Sequence, residues 1–422
     1  MSWFYSVLPF NIAQGPLGTF VQLYILQLYG PDIGKIYVGL VVTAFNAVTI
    51  PASMIWGFAT DRLHSRKPII YLSFFAMGAN LLAFLFVNDI FGIGLLYALF
   101  SLLSSASATP LNLLIMETEP KSKWALAFAR FSMVSSIGVT IGLFLSLGWT
   151  AVLPFKWLVV PLGSLSLVSG VLALILIREP SFVFERQMIV LQKRSFFARI
   201  STIPMIFLRL PRSSDFTRVF EGLRFELTSE VPVLYMSIFA FYIGSGMFNT
   251  SLVPAMYSST LTESEVFFVT SIAMIVQIFS FRYVGPYIEK RSLSKSAVVG
   301  LVLRSICYAL MGVSIFLISG LLFIIPSLIF YPLASGLAFA IYYTASNTMV
   351  FNSLGKKSQG SVLGVYSALV GVGTMVGSLL SGFTSYYIGF DVTFILGGFC
   401  LACSALLTSS LGRQIGTNRD EQ

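Results

Sequence analysis

Residues Trp56–Pro68 read "WGFATDRLHSRKP". Asp61, Arg62, His64, Arg66 and Lys67 fall within seven positions of a chain in which only 10% of residues are charged. Charges this crowded need water, so the stretch marks a polar turn between two apolar segments, 34–60 upstream and 68–87 downstream. Each segment holds the roughly 20 apolar residues that cross a hydrocarbon core about 30 Å thick. The rest of the chain is built the same way. Of its 422 residues, 56% are hydrophobic, with a mean hydropathy of +0.86, where a soluble domain carries about 25% charged residues. A polytopic membrane protein follows.

Cutting the chain at its charged and turn-rich breaks predicts twelve spans, at 3–29, 34–60, 68–87, 92–116, 124–148, 155–177, 231–256, 264–284, 296–318, 321–350, 359–384 and 391–411. The short "ISGLL" at 318–322 is the weakest break. Basic residues sort by loop parity. With the N-terminus inside, cytoplasmic segments hold 21 of the 26 Lys and Arg, and the opposite loops hold only Lys35 and Lys156. Arg130, Arg282 and Arg304 lie within or at the ends of spans. Positive residues collect on the cytoplasmic side, so both termini are expected inside a plasma membrane.

Several functions are excluded or disfavoured. The net charge of +9 is spread over loops, not gathered into a nucleic-acid patch. No GxxxxGK[ST] phosphate loop occurs, which disfavours ATP-driven transport. One histidine is too few for a His-based metal site, and His64 reads as an ordinary surface residue. Cys400 and Cys403 have redox spacing, but they sit in "GFCLACSALL" without a basic activator and read as small helix residues. The first apolar stretch is too long, and lacks the basic start, for a cleavable signal. No nucleophile–base or metal constellation suggests an enzyme, and no cofactor is expected.

The opening stretch returns. "GFATDR" at Gly57–Arg62 is echoed by "GPYIEKR" at Gly285–Arg291, each with Gly four residues before an acid, Asp61 or Glu289, that a base follows at once. The first lies after span 2 and the second after span 8. A second echo pairs "EPKSKWALAFARFSMVSSIGVTIG" (119–142) with "LGKKSQGSVLGVYSALVGVGTMVG" (354–377). At one constant offset Lys121 falls on Lys356, Gly138 on Gly373, Gly142 on Gly377 and Asn112 on Asn347. Related halves of six spans are a known transporter device.

On these residues the chain resembles the major facilitator superfamily. Gly57, Asp61, Arg62, Arg66 and Lys67 match the hallmark loop between spans 2 and 3, while His64 and Ser65 replace its usual Gly and Arg. The resemblance implies an all-α fold of twelve transmembrane helices in two pseudo-symmetric six-helix bundles. It also implies a cytoplasmic latch that joins the halves while the cavity opens outward. Asp61 would approach a helix N-terminus, where the dipole favours an anion. Arg62 and Arg66 would reach Glu117 and Glu119, and Gly285, Glu289, Lys290 and Arg291 would form the second copy. Gly57 would let a neighbouring helix come close.

The expected domains are 1–177, an N-terminal bundle; 178–230, a basic amphipathic linker on the anionic leaflet; 231–411, a C-terminal bundle; and 412–422, a tail. The family resemblance places a cavity between the halves, lined by spans 1, 4, 7 and 10 and flanked by 2, 5, 8 and 11. Amides and hydroxyls there need a partner or water. The candidate cavity residues are Asn11, Gln14, Asn46, Asn112, Arg130, Asn249, Gln277, Tyr343 and Asn347, with Asn112 and Asn347 the leading pair. Arg130 is expected to pair with Glu117 or face the cavity, and Arg304 to snorkel from a peripheral span 9.

No carboxylate sits inside spans 1, 7, 8, 10 or 11, where proton-coupled relatives commonly carry one. The Gly-Pro signature of drug–proton antiporters in span 5 and their Arg in span 4 are missing too. The sequence therefore points to a monomeric transporter, facilitative or secondary active, that moves a small organic solute by rocking its halves. Membrane lipids are its other partners, and protons or another ion stay open as coupling partners. A proton-coupled exporter of drug-like amphiphiles, a lipid or lysolipid transporter of the same fold, and a non-transporting receptor are the alternatives.

Overall fold

A computed structural model of the chain describes residues 2–63, 66–118, 124–177, 231–289, 291–318, 320–352 and 359–420. The linker expected at 178–230 lies outside the described residues. The helices follow the apolar segments closely. Spans 3 to 6 are Lys67–Ala83, Ile90–Thr118, Trp124–Val152 and Val159–Leu176. Spans 7, 8, 9, 11 and 12 are Val231–Ser258, Glu263–Glu289, Leu293–Leu317, Gln359–Tyr387 and Phe390–Asp420. Their outer faces remain apolar, with Phe86, Phe91 and Phe316 standing clear of the protein, as helices bathed in lipid require.

Spans 1 and 2 run together. After a short helix Leu8–Gln14, one helical stretch extends over Leu17–Leu63. Among the described residues there are eleven apolar helical stretches able to cross a membrane, and the first covers 51 residues, Trp3–Ser53. At about 1.5 Å per residue that is roughly 75 Å, enough for two crossings. The break falls at Gly30, whose φ of 76° and ψ of 167° suit a residue without Cβ. Counted so, the twelve crossings stand.

Three details add to the sequence reading. The membrane-length stretch of span 12 is Phe390–Leu411, and the helix runs on to Asp420. Gly320, at φ 73°, turns the short 318–322 connection sharply enough to end span 9. Span 10 is not uniform: Ile324–Tyr331 and Phe339–Asn352 are α-helical, and Pro332–Ala338 between them is π-helical. Pro332 cannot donate a backbone hydrogen bond, and the ladder widens from that point.

The repeat is built into the packing. In the first half, a Cβ on Gly138 would lie 2.7 Å from Asn11 Cβ, and one on Gly142 would strike the Ile12 carbonyl. In the second half, a Cβ on Gly373 would lie 2.9 Å from Tyr242 Cβ, and one on Gly377 would strike the Ile243 carbonyl. The same two glycines thus let span 5 press on span 1 and span 11 on span 7. Small residues at helix crossings permit this approach in a membrane. Around these crossings aromatic cores fill each bundle, Phe10 stacking on Phe74 at 4.8 Å and Phe248 on Tyr308 at 3.7 Å.

Candidate functional site

The two halves meet along spans 2 and 11 and along spans 5 and 8. Gly39 and Gly382 cross so closely that a Cβ on either would come within 3 Å of the other's Cα. One turn further along, Thr43 Oγ1 donates to Ser378 Oγ at 3.3 Å, and Asn46 Nδ2 to the same oxygen at 3.4 Å. Near the far ends, Gln27 Nε2 donates to Glu263 Oε1 at 2.6 Å, and the Thr150 and Ser264 hydroxyls lie 3.0 Å apart. Lys35 Nζ stands 4.8 Å above the Phe390 ring. All four described side-chain hydrogen bonds between the halves therefore lie from Asn46 outward, toward the loops poor in Lys and Arg. The halves are closed on that side, and one turn past Asn46 span 2 still packs on span 11, where a Cβ on Gly371 would lie 2.5 Å from Ile50 Cγ1.

The polar candidates divide by what they touch. Asn11 is buried, and its Nδ2 donates to the Val7 carbonyl at 3.0 Å and to Ser135 Oγ at 3.1 Å. It ties span 1 to span 5. Asn46 joins the halves, as described. Gln14 and Gln277 are half-buried, while Asn112, Arg130 and Asn249 are exposed. Asn347 is half-buried and accepts a hydrogen bond from Tyr366 Oη at 2.7 Å. Tyr343 is 39% exposed, stacks on Phe339 at 5.2 Å, and lies close to Tyr242 and Tyr366. Spans 7, 10 and 11 thus gather Tyr242, Tyr343, Asn347 and Tyr366 on one wall. The leading pair, Asn112 and Asn347, is not brought together by any described hydrogen bond.

Tyr366 escaped the sequence reading because tyrosine in an apolar run looks like core. Its position in the repeat was the available signal: the offset that sets Asn112 on Asn347 sets Phe131 on Tyr366. The hydroxyl is what the second half adds.

Arg304 is a correction. It does not snorkel but is buried, 2% exposed. Its Nε donates to Tyr308 Oη at 2.8 Å, and its guanidinium carbon lies 5.1, 5.3 and 5.2 Å from the Phe241, Tyr308 and Phe339 ring centres. Among the described residues it is the one charged side chain that is buried. The side chain leaves span 9 on the face toward spans 7 and 10, where the aromatic rings outcompete the interface.

The latch residues are placed in part. Gly57, Asp61 and Arg62 lie on the last turns of the Leu17–Leu63 helix and Glu117 on the last turn of span 4. The side chains of Asp61, Arg62, Glu117 and Glu289, and all of His64, Glu119 and Lys290, lie outside the described residues. Arg66 and Lys67 are half-buried. In the second copy, Arg291 packs on the Tyr287 ring at 4.6 Å and its Nη1 donates to Tyr287 Oη at 3.0 Å. Nothing lies within 4 Å of a Cβ at Gly285, so no helix crosses closely there. Cys307, Cys400 and Cys403 are free thiols.

A twelve-span frame, repeated glycine crossings and a seam between halves that is closed at one end define a two-bundle transporter fold. The Major Facilitator Superfamily model matches residues 4–206 and 234–418, and the chain belongs to that family of membrane transporters. Among curated proteins none matches significantly. The fold is shared with solved structures at low identity. A POT family transporter in complex with a thioalcohol-conjugated peptide is 13% identical, with a TM-score of 0.74 over 98% of this chain and 96% of the other. The peptide transporter POT in complex with sulfate is 11% identical, with a TM-score of 0.72 over 98% and 94%. The nucleoside transporter NupG is 14% identical, with a TM-score of 0.67 over 97% and 98%.

Proposed function

We propose that the chain moves a small organic solute across the plasma membrane by rocking its two bundles about a cavity near the bilayer midplane. The observation that carries this reading is the seam. Gly39–Gly382, Thr43–Ser378 and Asn46–Ser378 join the halves through small, uncharged groups, which can separate without stranding a charge in the membrane. The side-chain hydrogen bonds between the halves stop at Asn46 among the described residues, and the Ile50–Gly371 packing is the next contact toward the basic loops. With the far end closed, the state would be inward-facing, the basic loops being cytoplasmic by their 21 Lys and Arg. The Asp61 latch would engage in the opposite state.

Tyr242, Tyr343, Tyr366 and Asn347 supply the wall against which a solute binds. No buried Asp or Glu is found among the described residues, which favours facilitation over proton coupling. The linker at 178–230 would tether the bundles along the membrane surface, and the chain would work as a monomer among lipids.

Reconstitution into liposomes tests the reading. Counterflow of labelled sugars, nucleosides, amino acids, organic anions and lipophilic cations is expected to show saturable exchange for one class. Saturable binding without exchange would make the protein a receptor instead, and exchange only of lipophilic compounds would shift it to export or lipid handling.

A further inference from the structure

Arg304 stands 11 residues into the 25-residue span 9, about 16 Å from its start at 1.5 Å per residue. That is the middle of the bilayer, where an uncompensated charge costs most. No ion pair to it is found among the described residues. The three rings around it compensate in part, since a desolvated cation over an aromatic face gains about 2 kcal/mol at best. Its Nη1 remains without a hydrogen-bond partner.

Two neighbours share that condition. Tyr342 Oη on span 10 and Ser245 Oγ on span 7 are buried and unpartnered. The Tyr342 ring packs 4.0 Å from Phe241, itself against Arg304, and Ser245 lies beside Tyr308. Three groups able to donate, on three spans and one of them cationic, surround one aromatic core, in which Arg304 Nε has found Tyr308 Oη and its Nη1 has found nothing. Buried polar groups are almost always paired, so Arg304 Nη1 has place for a further acceptor, and the cation gives that acceptor its sign.

We propose that Arg304, Tyr342 and Ser245 form an oxyanion-binding site in the C-terminal bundle, and that the transported solute carries the carboxylate or phosphate group that fills it. This rests on the reading of the central cavity as a solute site, and it sharpens that reading from a small organic solute to an acidic one. The barrier between cavity and guanidinium is one ring thick: Arg304 packs on Phe339, and Phe339 stacks on the exposed Tyr343. The π-helical turn Pro332–Ala338 ends at Phe339. Such turns are points where a helix can shift register, and a small rotation of span 10 there would swing Phe339 aside and admit the anion.

The test uses detergent-purified full-length protein and its melting temperature. The probes are short monocarboxylates, dicarboxylates, phosphate monoesters and inorganic phosphate, each organic acid paired with its neutral amide or alcohol. A ligand that binds the folded state raises the melting temperature with concentration. Acids are expected to stabilise at least tenfold more potently than their neutral partners, with the carboxylate and phosphate arms deciding which group fits. Arg304→Gln should abolish the difference while leaving any response to neutral solutes.

Equal potency of acid and neutral partner, or an acid preference retained in Arg304→Gln, would overturn the proposal while leaving the solute cavity intact. If Arg304→Gln does not fold, Arg304→Met, which keeps the length and removes the charge, carries the comparison, and an acid preference unchanged in it overturns the proposal as well. No stabilisation by any probe, together with no counterflow, would remove both this site and the transport reading.

Discussion

The two halves share a frame and differ in what they enclose. Gly138 and Gly142 seat span 5 on span 1 as Gly373 and Gly377 seat span 11 on span 7. Yet the polar groups in those equivalent places do different work. Asn11, packed under Gly138, spends its amide on Val7 and Ser135 and fastens two helices of one bundle. Tyr242, packed under Gly373, joins the wall with Tyr343, Tyr366 and Asn347. Arg304 has no counterpart at all. At the offset that aligns Asp61 with Glu289 it falls on Ala76. On the proposed reading, symmetry supplies the two bodies that would rock, and departure from symmetry supplies the chemistry. The N-terminal half would then act as the platform and the C-terminal half as the reader of the solute.

The largest effect should come from breaking the shared frame. Gly142→Val and Gly377→Val each drive side-chain atoms into a carbonyl of the facing helix, and neither backbone can yield without moving the span. A loss beyond about 3 kcal/mol is expected in both, read as disappearance of the monodisperse peak in size-exclusion chromatography. A severe effect in only one half would mean the frame is not shared.

An intermediate effect should expose the asymmetry. Tyr366→Phe removes the donor to Asn347 in the second half, and solute affinity is expected to fall several-fold, since such a hydrogen bond is worth about 1 kcal/mol. Asn112→Ala, at the position the repeat sets on Asn347, should alter affinity less than twofold, because Phe131, the counterpart of Tyr366, has no hydroxyl to offer it. Counterflow competition curves measure both, and equal losses would restore a symmetric site.

The smallest effect belongs to the platform. Asn11→Ala should lower stability by about 0.6–1.7 kcal/mol, the range of interhelical hydrogen bonds in membranes, and leave the order of solute preferences unchanged. A thermal melt and a selectivity profile of the same variant check the two parts.

Much of this was legible in the sequence, and the limits have physical causes. The charge cluster at Asp61–Lys67 and its echo fixed the span count because hydrocarbon admits so few charges. The Gly138/Gly373 and Gly142/Gly377 register was readable because a crossing tolerates no side chain. The wall was harder to read. Asn and Gln attract attention in an apolar span, but an amide such as Asn11 is as useful between helices as beside a solute. Tyr308, Tyr342 and Tyr366 hide among apolar neighbours, because a phenol ring buries well and its hydroxyl matters only where a partner is close. Arg304 was misplaced for a related reason. Span 9 is outermost in this fold, and only the three-dimensional packing shows which side of it the arginine leaves from.

The central claim is that the halves rock, closing one end of the molecule as the other opens. Distances between paired spin labels measure it most directly. One pair would replace Asp32 and Ile388 at the far end, and another Ser132 and Lys295 toward the basic loops, in a protein whose three cysteines are changed to alanine. All four positions are exposed. A short far-end distance and a long basic-end distance are predicted for the major population. Gly39→Val, which blocks the Gly39–Gly382 crossing, should lengthen the first and shorten the second together. Distances that stay fixed, or that change at one end alone, would contradict the account.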